Sequence, residues 1–166
     1  MINIIDKDPK MNDRIYTFEE ASKFMSDAFI YKMPFNQLLG IELLQMTDDL
    51  VQLSVKNRPE LIGNFTQNIL HGGVIASLLD VAGGMVCINR ILQRIDTLTY
   101  QDIADKMSKM GTIDLRVDYL RPGRGDVFIA SASLLRDGNK IAVTRSELHN
   151  EKNQHIATAT ATYLIG

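Results

Sequence analysis

From Ile69 to Asn89 the sequence carries one charged side chain, Asp80. An ionised carboxylate in so apolar a run is costly to bury unless it is hydrogen-bonded, paired or open to a cleft. Carboxylates held that way often have perturbed pKa values and functional roles. The plainer alternatives are that Asp80 bonds a neighbouring backbone group or points to solvent. Nine residues earlier stands His71-Gly72-Gly73, where a loop enters a helix. The first N–H groups of a helix lack internal partners and carry partial positive charge, and glycine lets a ligand approach the backbone closely. Such a terminus can hold an anion or a developing oxyanion. It is equally compatible with a tight entry turn in which His71 is satisfied locally.

Helix geometry constrains how these two features can cooperate. Nine steps at about 1.5 Å separate His71 from Asp80 by roughly 13–14 Å, and about 100° per residue leaves them on opposite faces. On one regular helix they cannot meet across a single reacting bond. If they cooperate, two copies of the helix must run past each other, so that His71 of one chain faces Asp80 of the other. That predicts a two-fold dimer with two shared sites.

The chain around this helix is of ordinary globular make-up. Its 166 residues are 45% hydrophobic and 23% charged, with a formal net charge of -2, which suits one domain spanning 1–166 and gives no broad attraction to nucleic acid. The single cysteine, Cys87, allows no intrachain disulfide, fits a reducing compartment and has no evident basic partner, so a buried thiol is expected. The start, Met1-Ile-Asn-Ile-Ile-Asp-Lys-Asp, lacks the features of a secretory signal, and a cytoplasmic location is expected. The run 69–89 is long enough to span a bilayer, but an Asp at the centre of a span costs roughly 2.5–3.5 kcal/mol. A helix wrapped by the protein's own sheet is the expectation instead.

Thr17-Phe-Glu-Glu20 has the spacing of a capping box, and the apolar residues after it predict an amphipathic helix over 18–32 within an N-terminal helical extension of about 1–34. Pro34 ends it or opens a short turn through Leu39. Strands are expected at Ile41–Met46 and Leu50–Val55, then a loop, then the apolar helix from about Gly72 to Leu92, and a short helix at Tyr100–Lys109. Residues 112–119 alternate with a period of two. Strands follow at about 127–135, 140–149 and 155–164, with Asp137-Gly138 as a hairpin turn. Short connections favour antiparallel pairing. The fold class is α+β, an antiparallel sheet around one long central helix.

Asn64…Leu70-His71-Gly72-Gly73-Val74…Leu79-Asp80, with Thr112 opening a strand and Tyr119-Leu-Arg-Pro122 closing it, resembles the PaaI/thioesterase-superfamily branch of hotdog proteins. The stretch Gly111–Arg124 and the ending Ala157–Tyr163 look most like the YigI group of medium/long-chain acyl-CoA thioesterases. The resemblance covers about residues 35–166. It implies hydrolysis of acyl-CoA without cofactor or metal, with Asp80 as general base or nucleophile. The Gly72 N–H would polarise the thioester carbonyl from the opposing subunit, His71 and Gly73 would stand beside it, and Thr112 would help place the water. Relatives often have an Asn six residues before the His; here that position is Phe65, and Asn64 or Asn68 would substitute. Arg121, Arg124 and Lys140 flank turns and could meet CoA phosphates, or be ordinary solvated charges. The segment 93–110 is expected to cover the acyl pocket, and the eight methionines would suit an adaptable one. His149 and His155 lack the spacing of a zinc site, so no metal is expected. A homodimer, or a pair of dimers, is implied. The competing readings are a non-hydrolytic acyl-CoA-binding or regulatory hotdog protein and, third, a hotdog dehydratase, for which no paired Asp/His motif is visible.

Overall fold

The computed structural model describes residues 14–166. The first part of the expected N-terminal extension, residues 1–13, lies outside the described residues. Thr17 caps helix α1 (Phe18–Ser26) with the expected capping box: its side chain accepts from the Glu20 N–H, and Glu20 accepts from the Thr17 N–H. The expected helix over 18–32 does not stay regular, because Asp27–Lys32 widens into a π-helix. The carbonyls of Phe29 and Tyr31 there accept from the side-chain amides of Asn36 and Gln37. Those two donors lie on α2 (Pro34–Leu39), which Pro34 opens at its first turn and Gly40 closes in the left-handed conformation. A turn was one of the two roles expected of Pro34; the chain makes a short helix.

A six-stranded sheet, antiparallel throughout, follows. Its strands are β1 (Ile41–Met46), β2 (Val51–Lys56), β5 (Gly111–Tyr119), β6 (Val127–Asp137), β7 (Ile141–Asn150) and β8 (His155–Leu164). They lie in the order β1-β2-β6-β7-β8-β5. Between β2 and the central helix, where a loop is expected, β3 (Ile62–Asn64) and β4 (Ile69–Leu70) pair as a small separate hairpin. The central helix is α3 (Gly72–Gln93), and α4 is Tyr100–Ser108.

The sheet curls around α3, which packs against β2, β5, β6, β7 and β8, while α1 and α4 touch it from elsewhere. The inward positions of the sheet are rich in alanine: Ala130 and Ala132 on β6, Ala142 on β7, and Ala157, Ala159 and Ala161 on β8 are all buried. Small side chains let the helix lie close to the strands, where Leu78, Leu79, Met85 and Ile88 fill the space between. That enclosure explains a helix apolar on nearly every side. By length and a mean hydropathy of 1.6, α3 could cross a membrane, but 78% of its most apolar window is buried inside the protein, as in the core helix of a soluble fold. An antiparallel sheet wrapped around one long helix is the hotdog architecture, α+β as expected.

Two buried positions on α3 show how tight this packing is. A Cβ on Gly83 would stand 2.5 Å from the Tyr163 hydroxyl and 2.8 Å from that of Thr144. Gly83→Ala should therefore cost about 1–3 kcal/mol through overpacking despite alanine's better helix propensity, read as a lower midpoint in urea denaturation. One turn on, burial first and the nearby Asp137 charge second push the Cys87 thiol up to about 12. Since the thiolate is the reactive form, native protein at pH 8 should resist iodoacetamide, and protein unfolded in guanidinium should be alkylated at this one residue.

Candidate active site

Asp80 is half-buried on α3, and two hydroxyls converge on it. Thr112 Oγ1, at the start of β5, donates to Asp80 Oδ1 over 3.1 Å. The Tyr163 hydroxyl, near the end of β8, stands 3.1 Å from the same oxygen and 2.8 Å from the Asp80 backbone carbonyl. Both strand ends reach the helix side by side: the β5–β8 register shifts between Thr112 and Asp114, which sets Thr112 directly opposite Tyr163. Burial, and then the Asp80 charge, hold the Tyr163 phenol well above its ordinary pKa, so it remains a donor at any physiological pH. With Oδ1 engaged twice, Oδ2 has no hydrogen-bond partner among the described residues.

This carboxylate stands on the wall of a cavity of about 250 Å³, together with Ser77, Thr112, Tyr163, Phe35 and Asn36. Asn36 is 1% exposed. Its Nδ2 donates to the Phe29 carbonyl over 2.7 Å, but its Oδ1 is buried with no donor among the described residues. A second cavity of about 180 Å³ shares the walls Phe29, Met33 and Met107 with the first and is otherwise lined by groups such as Phe24, Ala28, Ile103 and Ala104. It lies between the π-helical end of α1 and α4, so the 93–110 segment does border an apolar pocket next to Asp80.

His71 is the N-cap of α3. Its Nδ1 accepts from the Gly73 N–H over 2.8 Å, which places the ring proton of the neutral imidazole on Nε2. The N–H groups of Val74 and Ile75 both reach the His71 carbonyl. Of the first four helix donors, the Gly72 N–H alone has no partner among the described residues. Gly72 is held from the other side by the Tyr119 hydroxyl, which donates to its carbonyl over 2.9 Å. Gly63 on β3 passes so close that a Cβ there would sit 2.6 Å from His71 Cα. His71 and Gly73 line a separate hollow with Arg58, Leu61 and Ser77, and only Phe35 and Ser77 border both this hollow and the Asp80 cavity. Within one chain, then, the Gly72 donor and the Asp80 carboxylate do not share a cavity.

The other candidates fall in several places. Asn64 Oδ1 accepts from the Thr66 N–H and hydroxyl and from the Gln67 N–H, and so closes the turn between β3 and β4. Asn68 ends that turn with φ of 50° and borders a surface hollow with Phe65 and Asp126. Arg124 donates to the Gln67 carbonyl and Arg121 to that of His155. Lys140 follows the Asp137–Gly138 turn, which Arg94 ties to the C-terminal end of α3. Arg124 and Lys140 therefore lie near opposite ends of a helix roughly 30 Å long, too far apart for one phosphate. None of Asn64, Asn68, Arg121, Arg124 or Lys140 lines the Asp80 cavity. Tyr163 and Asn36, which sequence reasoning did not single out, do line it. A tyrosine in an alternating strand and an Asn in a short turn carry no signal by type or spacing; only the chain's folding brings them to Asp80.

Comparisons with known proteins agree with this architecture. The family model of the thioesterase superfamily matches residues 67–157, a span holding His71, Gly72, Asp80 and Thr112. The medium/long-chain acyl-CoA thioesterase YigI of Escherichia coli K12 is 55% identical over 152 residues, covering 92% of this chain and 98% of its own length. Its namesake from Salmonella typhimurium LT2 is 54% identical over the same shares. A Shewanella oneidensis crystal structure, described as related to the thioesterase superfamily, superposes with a TM-score of 0.85 at 43% identity, covering 90% of this chain and 97% of that one. The chain belongs to the thioesterase superfamily.

Proposed function

We propose that this protein hydrolyses medium- and long-chain acyl-CoA thioesters, with Asp80 as general base for an attacking water. The observation that carries the reading is a carboxylate with one oxygen held by two hydroxyls and the other without a partner among the described residues, at a cavity that adjoins a largely apolar pocket. The name of the Escherichia coli relative supports the substrate class. Donors on Oδ1 weaken the carboxylate as a nucleophile but leave Oδ2 able to accept a proton. A water donating to Oδ2 and to the donorless Asn36 Oδ1 would have both hydrogens directed, with a lone pair left for the thioester carbon. Attack gives a tetrahedral oxyanion, which a Gly72 N–H would stabilise, and the CoA thiolate leaves as the acid forms.

That Gly72 would come from a second copy. Gly72 does not line the Asp80 cavity, and its neighbours His71 and Gly73 border a different hollow; β5 supports pairing with a partner. It is one of the two edge strands of the sheet, so one side of its backbone is unpaired within the chain, and it leaves Ile113 and Tyr119 more than half exposed, which a second copy would cover.

Four outcomes test this reading. Asp80→Asn should lower kcat on a long-chain acyl-CoA by about a thousandfold with an unchanged circular dichroism spectrum, in the range general-base removal costs. Turnover at the wild-type rate would sink the reading, and tight substrate binding to the wild type with no free CoA would point to a non-hydrolytic binder instead. Gly72→Pro removes one N–H at the position where helices best accept proline, and His71 already has the extended backbone that must precede it. It should fold and lose about 100- to 1,000-fold in kcat. Refolding the two inactive variants together should restore activity in roughly a quarter of sites, since half the dimers are mixed and each has one intact site. Finally, Ala104→Phe should fill the apolar pocket and lower kcat/KM for long chains at least tenfold more than for short ones, on a chain-length panel; about 0.8 kcal/mol is at stake per methylene excluded.

A further inference from the structure

A second cluster lies on the outer face of the sheet, far from Asp80. Glu147 and His149 are two apart on β7, so they share a face, and their neighbours Ser146, Leu148 and Asn150 point inward and are buried. His155 opens β8. A regular register would set Ile156, not His155, opposite His149. Leu148 faces Ala157, yet the next residue, His149, faces His155, so β8 carries one extra residue at this point. Ile156 and Ala157 are both fully buried as a result. The bulge turns His155 onto the outer face, where its ring stacks on that of His149 with centroids 4.6 Å apart and planes within 16°. Re-aiming a side chain is what bulges commonly do.

We propose that Glu147, His149 and His155 form a binding site for a divalent transition ion of the zinc class. One donor atom from each residue lies within 4.8 Å of the others. A tetrahedral ion with bonds of about 2.0–2.1 Å needs donors roughly 3.3 Å apart, so the donors of these part-exposed side chains have to close up on the ion from within 4.8 Å of one another. His155 is already oriented for the task. Its Nε2 lies 3.1 Å from the Ala157 carbonyl; a carbonyl only accepts, so Nε2 holds the proton and Nδ1 keeps its lone pair. A ligand imidazole whose second nitrogen donates to a backbone carbonyl is the usual supported arrangement in metal sites. The Glu147 carboxylate and the His149 ring take no hydrogen bond or salt bridge from any described residue, which leaves both free to ligate. Two cations stand nearby: Arg121, on the His155 carbonyl, and Arg145, on the Thr158 hydroxyl. Glu147 offsets their repulsion of an incoming ion. Two imidazoles and one carboxylate suit zinc better than magnesium or calcium, which prefer oxygen ligands, and leave a position for water.

The site is separate from the proposed hydrolysis. His155 is eight residues along β8 from Tyr163, about 26 Å at 3.3 Å per residue. The test is isothermal titration of tag-free full-length protein with zinc chloride at neutral pH. One ion per chain should bind, His149→Ala and His155→Ala should each weaken Kd at least tenfold, and His71→Ala should titrate like the wild type. Cobalt(II) gives a second readout, since visible absorption should appear with the wild type and be lost in Glu147→Gln. Acyl-CoA turnover by His149→Ala should match the wild type, so the metal site can fail without touching the thioesterase reading, and the reverse. Absence of zinc binding, or equal affinity in wild type and the His149 and His155 variants, would overturn the proposal.

Discussion

The structure depends on burying one long helix around a single carboxylate. Almost every other side chain of α3 gains from leaving water; Asp80 loses hydration by the same move. The fold meets that cost locally, by bringing hydroxyls from the ends of two paired strands to one carboxylate oxygen. Tyr163 then has to press against the helix, which is why a glycine stands at 83 and why a larger residue has no room there. The same contact sets packing and hydrogen bonding: the strand ends that stabilise the carboxylate also dictate which of its oxygens is left without a partner among the described residues.

The other end of α3 is organised differently. A helix start normally exposes several donors. Here His71 takes up two of them, Gly73 with its ring and Val74 with its carbonyl, and the hairpin β3–β4 pins it through a close pass by Gly63. What remains is the single Gly72 N–H. In the proposed reaction this economy matters, because one directed donor defines where an oxyanion sits better than a fringe of loosely held ones. Because Gly72 and Asp80 lie on opposite faces of the helix, the proposed reaction draws its Gly72 from a second copy.

Much of this was legible in the chain. The lone charge in an apolar run located Asp80, the capping pattern of His71-Gly72-Gly73 located the helix start, and alternation located β5. Less legible were features set by register or by long-range contact. The bulge at Ile156 changes which face His155 occupies, and no count along the chain from His149 anticipates it. Tyr163 sits in an alternating strand where a buried aromatic ordinarily means core, yet its hydroxyl is the polar part that matters. Asn36 lies on the short helix that Pro34 opens, and its amide is drawn inward by the Phe29 carbonyl. The candidate phosphate ligands show the converse: Arg124 and Lys140 look alike in sequence, flanking turns, but the turns lie at opposite ends of α3.

The central claim is that a water held by Asp80 attacks the thioester directly. A single turnover with enzyme in excess, run in heavy-oxygen water and followed by mass spectrometry of both the fatty acid and the Asp80 peptide, tests it most directly. Label should appear in the fatty acid from the first turnover and not in the peptide. An unlabelled first product with label carried by Asp80 would mean that the carboxylate itself attacks, and would contradict it.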